Sequence, residues 1–157
     1  MTTQTELDTA DRRILTLLQQ DGRMTNAALA ESVHLSPSAC LARVRRLEEA
    51  GVIEKYVALV NPNKIGLTVN VLLFVTLSKQ IDTALKSFEA AVLDRPEVVE
   101  CFLMTGDADY LLHVIVKDVQ AYERLVLDHL TKLPGVDKIR SSFSLKQVKF
   151  ETALPVN

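Results

Sequence analysis

The sequence predicts an α+β protein in which an N-terminal, winged helix-turn-helix is followed by a ferredoxin-like domain of order βαββαβ. Residues 8–51 carry apolar side chains at helical spacing between short, capped turns. From residue 68 onward, β-rich runs alternate with two helical segments. A stretch with proline, glycine and two asparagines separates the two patterns. We therefore assign residues 1–60 to the first domain, 61–67 to a linker and 68–157 to the second domain.

Three capped helices are predicted in the first domain. Asp8 caps the first helix, and Asp11 lies in its first turn, where the helix dipole favours negative charge. Thr25 caps the second helix. Ser36, followed by proline at the first helical position, caps the third, which ends near Ala50. Helices of about 12, 9 and 14 residues joined by short turns are typical of a helix-turn-helix, and VIEKYVALV after them is predicted to form a short strand pair or wing.

The second domain is predicted to hold four strands and two helices. The strand-like runs are TVNVLLFVTLS, VVECFLMTG, YLLHVIV and a long final VDKIRSSFSLKQVKF. The helical runs are DTALKSFEAAVLDR and VQAYERLVLDHLTKL, in which apolar residues recur at helical spacing. A polar turn at Gly106 and Asp107 joins the two middle strands. This order predicts one sheet with both helices on the same face.

Composition and cysteine usage exclude several classes of protein. With 48% hydrophobic and 24% charged residues, the chain is expected to be globular. Its apolar runs are far shorter than the roughly 18 residues that a membrane helix needs, and its first residues lack the apolar core of a secretory signal. Cys40 and Cys101 are isolated and the histidines are scattered, so we expect no disulfide, metal or other cofactor. We expect a soluble, cytoplasmic protein without membrane contact.

The charge pattern indicates one local basic cluster rather than a polycation. The net charge is −2, and neither domain is basic overall. Any contact with nucleic acid must therefore come from a cluster on one face. The segment SPSACLARVRRLEEAG places Arg43, Arg45 and Arg46 in the third predicted helix, next to the small residues Ser38 and Ala42. Such a helix fits a DNA major groove about 12 Å wide without steric obstruction.

The third helix divides into an inward apolar stripe, which includes Cys40, and an outer surface. Arg45 is the candidate for a bidentate contact with a guanine edge, whereas Arg43 and Arg46 either hold phosphates or brace the helix. Serine hydroxyls near the positive end of the helix are candidates for phosphate contacts. An arginine-rich face that is merely solvated is the alternative. The candidate DNA-binding residues are Ser36, Ser38, Ala42, Arg43, Arg45 and Arg46.

Four stretches spread over almost the whole chain are distinctive. They are LDTADRRIL at 7–15, LSPSACLARVRRLEEAGVI at 35–53, TGDADYLL at 105–112 and LPGVDKIRSSFSLKQVK at 133–149. In this order and spacing they resemble the Lrp/AsnC (feast/famine) family of bacterial and archaeal transcription regulators. The resemblance implies a helix-turn-helix that binds double-stranded DNA and a second domain that dimerises and senses free amino acids. It also implies homodimers that assemble into octamers or larger particles.

In this family the amino-acid site lies near the turn that corresponds to Gly106 and Asp107, at contacts between dimers. A free amino acid carries an ammonium and a carboxylate, so its pocket needs a negative charge and N–H donors. Asp107 or Asp109 would supply the charge, although these residues alternatively do no more than stabilise a tight hairpin. The apolar flanking strands favour leucine or methionine as the effector. The candidate effector residues are Gly106, Asp107, Asp109, Val119, Ser141, Ser142, Phe143 and Ser144.

One departure from the family pattern is His34, because the family usually has glycine in the turn between the second and third helices. If that position requires a positive φ, glycine adopts it without strain, and histidine is among the more tolerated replacements. We expect a cost of about 1 kcal/mol at most and an intact turn.

Two other functions are alternatives to a regulator. An enzyme built on the ferredoxin-like half would turn over an amino acid, but no nucleophile, metal cluster or phosphate-binding loop accompanies Asp107 and Asp109 in sequence. A nucleoid-packaging protein without an effector would bind DNA with weak sequence preference, and the absence of a broad basic face counts against it. The sequence therefore favours a sequence-specific regulator that is not an enzyme.

Overall fold

The computed structural model describes residues 5–78, 82–133 and 135–156. The chain divides into two compact units. The first unit combines the residues up to Leu59 with a C-terminal segment that begins at Lys149, and the second unit is Val60–Val148. Within the described residues, no helix is both long enough and apolar enough to cross a bilayer.

The C-terminal segment is the place where the sequence-based division differs from the structure. We had assigned residues 68–157 as a whole to the second domain, but the last residues pack in the first unit. The side-chain amide of Gln19 donates to the carbonyl of Leu154 at 3.0 Å and accepts from its N–H at 2.6 Å. Val156 packs against the apolar core of the same unit. The position of these C-terminal residues depends on contacts between residues far apart in the sequence, which the local sequence pattern does not encode.

Three helices form the first unit, and their caps are those predicted. The helices are α1 at Thr9–Gln20, α2 at Asn26–Val33 and α3 at Pro37–Glu49. At each N terminus a side-chain oxygen, from Asp8, Thr25 or Ser36, accepts a hydrogen bond from the backbone N–H three residues ahead. Side chains from all three helices form one buried core, which contains Ile14, Leu15, Leu29, Ala30, Val33, Cys40 and Leu47.

The turn between α2 and α3 has the conformation expected at His34. This residue lies in the left-handed region with φ 58° and ψ 44°. Among the described residues, it is the only one other than glycine with a positive φ. Its backbone N–H bonds to carbonyl oxygens at the end of α2, so the turn is intact. The prediction of an intact turn is confirmed, and the cost of about 1 kcal/mol stays a prediction.

The prediction of a strand pair at VIEKYVALV is wrong, because this segment forms no strand in the described chain. The N–H groups of Val52 and Ile53 both donate to the carbonyl of Leu47, at 2.9 and 3.1 Å, and so complete the end of α3. Residues 54–60 then have no regular secondary structure. Val57 is 64% exposed, because no second strand of the described chain pairs with this segment. The alternating apolar residues had resembled a strand.

The second unit has the predicted order of strands and helices. Its elements are β1 at Val69–Leu77, α4 at Asp82–Leu93, β2 at Val98–Leu103, β3 at Tyr110–Val116, α5 at Val119–Arg124 and β4 at Val136–Phe143. The strands form one antiparallel sheet in the order β2-β3-β1-β4. A short 3-10 helix at Pro62–Ile65 occupies the predicted linker. The ferredoxin-like α+β fold predicted from the sequence is confirmed.

Two elements of this unit differ in length from their predictions. Helix α5 ends at Arg124, and the chain continues as a π-helical turn at Leu125–His129 and a 3-10 turn at Leu130–Lys132. The last strand ends at Phe143, because its pairing with β1 stops there, although the β-rich pattern continues to Phe150.

The sheet has one covered face and one open face. Alternate residues of β1 and β3 are buried with side chains of α4 and of the α5 segment: Val71, Leu73, Val75, Leu77, Tyr110, Leu112, Val114 and Val116. The residues between them, such as Leu72 and Phe74, point to the other side, which we call the open face. On this side the central strands carry apolar residues together with Asn70 and His113, which bond to each other, and the edge strand β4 carries two cations.

We expect acid to destabilise the first unit through Asp8. The pKa of this carboxyl is lowered from 3.8 to about 2, first because the Asp11 N–H donates to it and then because the Arg43 guanidinium bonds to it. A carboxyl group with a lowered pKa stabilises the fold above its unfolded pKa and loses that contribution as pH falls through its folded pKa. The contribution should therefore disappear between about pH 4 and about pH 2.

The measurement is the denaturant midpoint of the helical signal between pH 5 and pH 2 for wild type, Asp8→Asn and Asp137→Asn, which alters an exposed strand residue as the control. Asparagine still caps the helix but does not titrate. We expect Asp8→Asn to be less sensitive to acid than wild type and the control to follow wild type. Parallel curves for wild type and Asp8→Asn would contradict this origin of the acid sensitivity.

Candidate functional site

Two of the three arginines of α3 are bound to α1. The Arg43 guanidinium bonds to Asp8 at 2.6 Å and to Asp11 at 2.9 Å, and Arg46 bonds to the other oxygen of Asp11. The Asp11 side chain is only 1% exposed. A buried carboxylate is costly unless it is paired, so these two arginines compensate its charge. The hydrogen bonds that Arg43 makes, first with Asp8 and then with Asp11, raise the pKa of its guanidinium. The bracing role is therefore the one that the geometry favours.

Arg45 has a different environment. It is exposed and forms no ion pair or hydrogen bond with another described residue. Ser38 and Ala42, seven and three positions earlier, are also exposed and share its side of the helix. Ser36 caps the helix, and its hydroxyl also lies 3.2 Å from that of Ser38. The outer surface of α3 thus presents small side chains and one available guanidinium.

The candidate effector residues lie in two groups at opposite ends of the sheet. Gly106 and Asp107 belong to the hairpin that precedes β3. This hairpin lies at the end of the sheet where Val75 of β1 pairs with Tyr110 of β3. Phe143 pairs with Val71 at the other end. Val71 and Val75 are four residues apart on β1, which corresponds to about 13 Å along the strand. One small ligand therefore cannot contact both groups within a single subunit.

The group at the far end surrounds Tyr122 of α5, which the sequence reasoning missed. Its hydroxyl bonds to Ser141, and its ring packs edge-to-face on Phe143 with centroids 5.1 Å apart. Val119 begins the same helix and is exposed. Ser144 follows β4, where its N–H donates to Asn70 at 2.9 Å. Because Tyr122 lies on an apolar helical stripe, only the register of β4 against β1 reveals its contact with the two site candidates.

Ser142 lies apart from its neighbours. It pairs with Leu72 and so points to the open face, whereas Ser141 and Phe143 pair with buried residues of β1. The sequence reasoning grouped all four consecutive residues, because it did not know which side of the strand faces the helices.

Asp109 braces the hairpin. Its carboxylate is nearly buried and accepts from the Leu77 N–H at 2.7 Å, while its own N–H donates to Val75 at 2.9 Å. This is the alternative role left open by the sequence. Gly106 has φ 117°, a conformation that favours glycine, and Asp107 remains exposed at the tip.

A polar cavity next to Asp107 was also missed. It has a volume of about 270 Å³ and is lined by Phe74, Thr76, Asp107, Ala108, Lys138 and Arg140. The alternation of Lys138 and Arg140 along the last strand was the available sequence signal. Only the strand register places both cations beside the hairpin.

Comparison with known families identifies these two units. The model of the Lrp/AsnC ligand binding domain matches residues 70–154, and a winged helix-turn-helix DNA-binding model matches residues 7–54. The chain belongs to the Lrp/AsnC family. The resemblance found in the sequence is confirmed, and this Lrp/AsnC regulator carries a DNA-binding unit and an amino-acid-binding unit.

Curated relatives of this Lrp/AsnC regulator are transcriptional regulators rather than enzymes. It is 44% identical over 151 residues to the Bkd operon transcriptional regulator of Pseudomonas aeruginosa, covering 96% of this chain and 99% of that protein. It is 41% identical over 151 residues to the leucine-responsive regulatory protein of Escherichia coli, covering 96% of this chain and 92% of that protein.

Solved structures agree over the whole fold. A transcriptional regulator of Neisseria meningitidis in complex with L-Met matches with a TM-score of 0.92 and 42% identity, covering 97% of this chain and 98% of that one. An AsnC family regulator from Agrobacterium tumefaciens matches with a TM-score of 0.90 and 38% identity, covering 95% and 97% of the two chains.

The arginines of α3 should differ in their effect on stability. Removing Arg43 or Arg46 leaves the buried Asp11 carboxylate with one guanidinium instead of two, and we expect each alanine variant to lose about 1–3 kcal/mol. Arg45→Ala is the matched control on the same helix and should change stability by no more than about 0.5 kcal/mol. Denaturant unfolding followed by far-UV circular dichroism measures the differences. Equal losses in all three variants would contradict the bracing role.

Proposed function

We propose that this Lrp/AsnC regulator binds a specific DNA sequence as a homodimer through α3 of each subunit. We further propose that leucine or methionine alters its assembly or its DNA binding. The first part rests on the different contacts of the three arginines. Arg43 and Arg46 are bound to carboxylates of α1, whereas Arg45 has no such partner and is available to contact DNA. The relatives support the second part.

Arg45 is suited to a base contact. A guanidinium bonds bidentately to the O6 and N7 atoms of guanine, the commonest specific contact in the major groove. Ser38 and Ala42 are small enough to let the helix approach the base edges. The Asp8 and Asp11 carboxylates fix the flank of α3 through Arg43 and Arg46, so Arg45 enters the groove from a rigid helix. Phosphate contacts from these two bracing residues are secondary in this proposal.

The open face of the sheet is the surface proposed to meet the second subunit. Apolar side chains surround the polar His113 on this face, and several of them remain accessible in one chain, including Leu72 at 36% and Phe102 at 48%. Large exposed apolar patches mark interaction sites, and a twofold interface pairs the same patch on both subunits. Such a dimer would present two copies of α3 about 34 Å apart, one turn of DNA, to a pseudo-palindromic site. Assembly of such dimers into an octamer is part of the proposal.

The effector is proposed to bind where two subunits meet. The turn at Gly106 and Asp107 and the segment around Phe143 lie too far apart to enclose one amino acid in a single subunit. If one subunit contributed its turn at Gly106 and Asp107 and another contributed its segment around Phe143, a charged group and an apolar surface would lie close together. One relative is named for its response to leucine and another was solved with L-Met. The effector would act through its different affinities for two assemblies or two placements of the DNA-binding units.

Arg45→Ala should relax sequence preference. The DNA is a site selected from random sequence by the purified wild-type protein, and a scrambled duplex of equal composition is the reference. We expect the ratio of the two affinities to fall by about tenfold or more, because a bidentate contact contributes about 1–3 kcal/mol of discrimination. Gel-shift titrations measure the ratio.

Arg124→Ala, an exposed arginine on α5 of the second unit, is the matched control for this experiment and should leave the ratio unchanged. An unaltered ratio in Arg45→Ala would refute the assignment of α3 as the base-reading helix. Weak discrimination by the wild-type protein itself would favour a DNA-packaging role instead.

A ligand screen tests the amino-acid proposal. Wild-type protein is heated with each of the twenty amino acids, with and without its DNA site, and the unfolding midpoint is recorded. A ligand present at 100 times its Kd stabilises the native state by about 2.7 kcal/mol, so leucine or methionine should raise the midpoint by several degrees. If no amino acid raises it under either condition, the effector proposal fails.

A further inference from the structure

The DNA-binding unit contains residues from both ends of the described chain. It joins the residues up to Leu59 to the C-terminal segment, residues 149–156. Since the second unit lies between them in the sequence, the chain passes from one unit to the other twice. The connection after Leu59 is covalent throughout. The connection before Lys149 restrains the DNA-binding unit only while the C-terminal segment stays bound to it.

The C-terminal segment is bound through a side-chain amide of α1. The Gln19 amide donates to the Leu154 carbonyl at 3.0 Å and accepts from the Leu154 N–H at 2.6 Å. A primary amide offers an acceptor and two donors, so it can satisfy both backbone groups of one residue. Pro155 follows directly and favours an extended conformation at Leu154. Gln19 thus holds the segment at one defined point.

The remaining contacts of the C-terminal segment are few. Val156 packs against the core of the unit, whereas the side chain of Leu154 is 74% exposed. Between residues 144 and 156 no residue belongs to a helix or a strand. Segments with little buried apolar surface and exposed hydrogen bonds open locally at a low cost in free energy. The segment can therefore be released while the three helices stay folded.

The two connections share one groove of the DNA-binding unit. This groove has a volume of about 790 Å³ and is lined by the C-terminal half of α1, by residues 52–59 and by Thr152, Leu154, Pro155 and Val156. Among the described residues that line it, none belongs to α3. The C-terminal segment therefore adds a second attachment beside the first and leaves the outer surface of α3 exposed.

We infer that the bound C-terminal segment restricts the movement of the DNA-binding unit and thereby limits the spacing of half-sites that a dimer accepts. The inference rests on the proposed homodimer that reads DNA through α3. A unit held by one flexible connection samples a wide range of positions, and a second attachment reduces that range. Five extra base pairs turn one half-site by about half a turn of DNA. A dimer with bound segments should reject such a site, and a dimer with released segments should tolerate it.

A purely structural role is the alternative. The C-terminal segment would then only stabilise the three helices, and its release would weaken binding to every site equally. The composition of the core disfavours this role, because its buried residues all come from the three helices. The C-terminal segment contributes to it only the partly buried Val156.

The experiment uses full-length variants that release the C-terminal segment. Gln19→Ala removes both hydrogen bonds to Leu154 and keeps a residue that favours the helix. Gln20→Ala, at the exposed neighbouring position of α1, is its matched control. Val156→Asp removes the apolar contact, and Val148→Asp is its control, because Val148 is 89% exposed. The unfolding midpoint confirms that each variant folds.

Hydrogen exchange at the Leu154 N–H, followed by NMR, measures the release without DNA. Exchange in Gln19→Ala should be faster than in wild type by about tenfold or more, as for loss of two hydrogen bonds. Val156→Asp should change it in the same direction, and both controls should match wild type. Equal exchange in wild type and Gln19→Ala would overturn the inference.

Gel-shift titrations then measure the effect on spacing. The probes are a site selected by wild type and the same site with five base pairs inserted between its half-sites. Wild type should bind the longer site about tenfold or more weakly, whereas Gln19→Ala and Val156→Asp should lose less than about threefold. The controls should discriminate as wild type does.

The outcomes separate the inference from the proposed function. If the two variants bind both sites more weakly by the same factor, or discriminate as wild type does, the inference is overturned while sequence-specific binding stands. If wild type prefers no sequence, the proposed function fails and the role in spacing falls with it. The exchange experiment would still decide whether Gln19 holds the C-terminal segment.

Discussion

The DNA-binding unit is organised around the buried carboxylate of Asp11. A carboxylate with 1% of its side chain exposed requires compensation, and Arg43 and Arg46 supply it from α3. Asp8, the cap of α1, joins the same network through Arg43, so the start of α1 and the middle of α3 are fixed together. This constraint sets the rotation of α3 about its own axis. With two arginines turned toward α1, the side that carries Ser38, Ala42 and Arg45 must face outward.

The two faces of the sheet in the second unit differ, because helices cover one face and leave the other open. The helices cover the face that carries Leu73 and Val75, where burial of apolar surface stabilises the fold. The other face combines apolar side chains with a polar group in which His113 bonds to Glu100 and Asn70, and its edge strand β4 carries Lys138 and Arg140. This face is the one proposed to meet a second copy of the chain. The sheet thus separates the helix-covered core from the face proposed for assembly.

Features that depend on residues close together in the sequence were predicted correctly, whereas features that depend on distant residues were not. The caps at Asp8, Thr25 and Ser36 were predictable, because they depend on residues three positions apart. The left-handed turn at His34 was expected only through the family resemblance, because relatives usually have glycine at this position. The wing was not predictable, since alternating apolar residues at 54–60 require a partner strand that the described chain does not provide. The docking of Leu154 on Gln19 joins residues 135 positions apart, and no local pattern encodes it.

The sequence alone determined the order of the elements, the α+β class, the family and the basic helix, because these are expressed in periodicity, capping and short motifs. The sequence already set Arg45 apart from Arg43 and Arg46, but it left open whether these two hold phosphates or brace the helix. Tertiary structure favours bracing, because it brings both of them to the carboxylates of α1. It also decided that the predicted effector residues form two groups and that Lys138 and Arg140 stand beside Asp107. Strand register, which depends on pairing across the sheet, places those side chains, and it becomes fixed only when the chain folds.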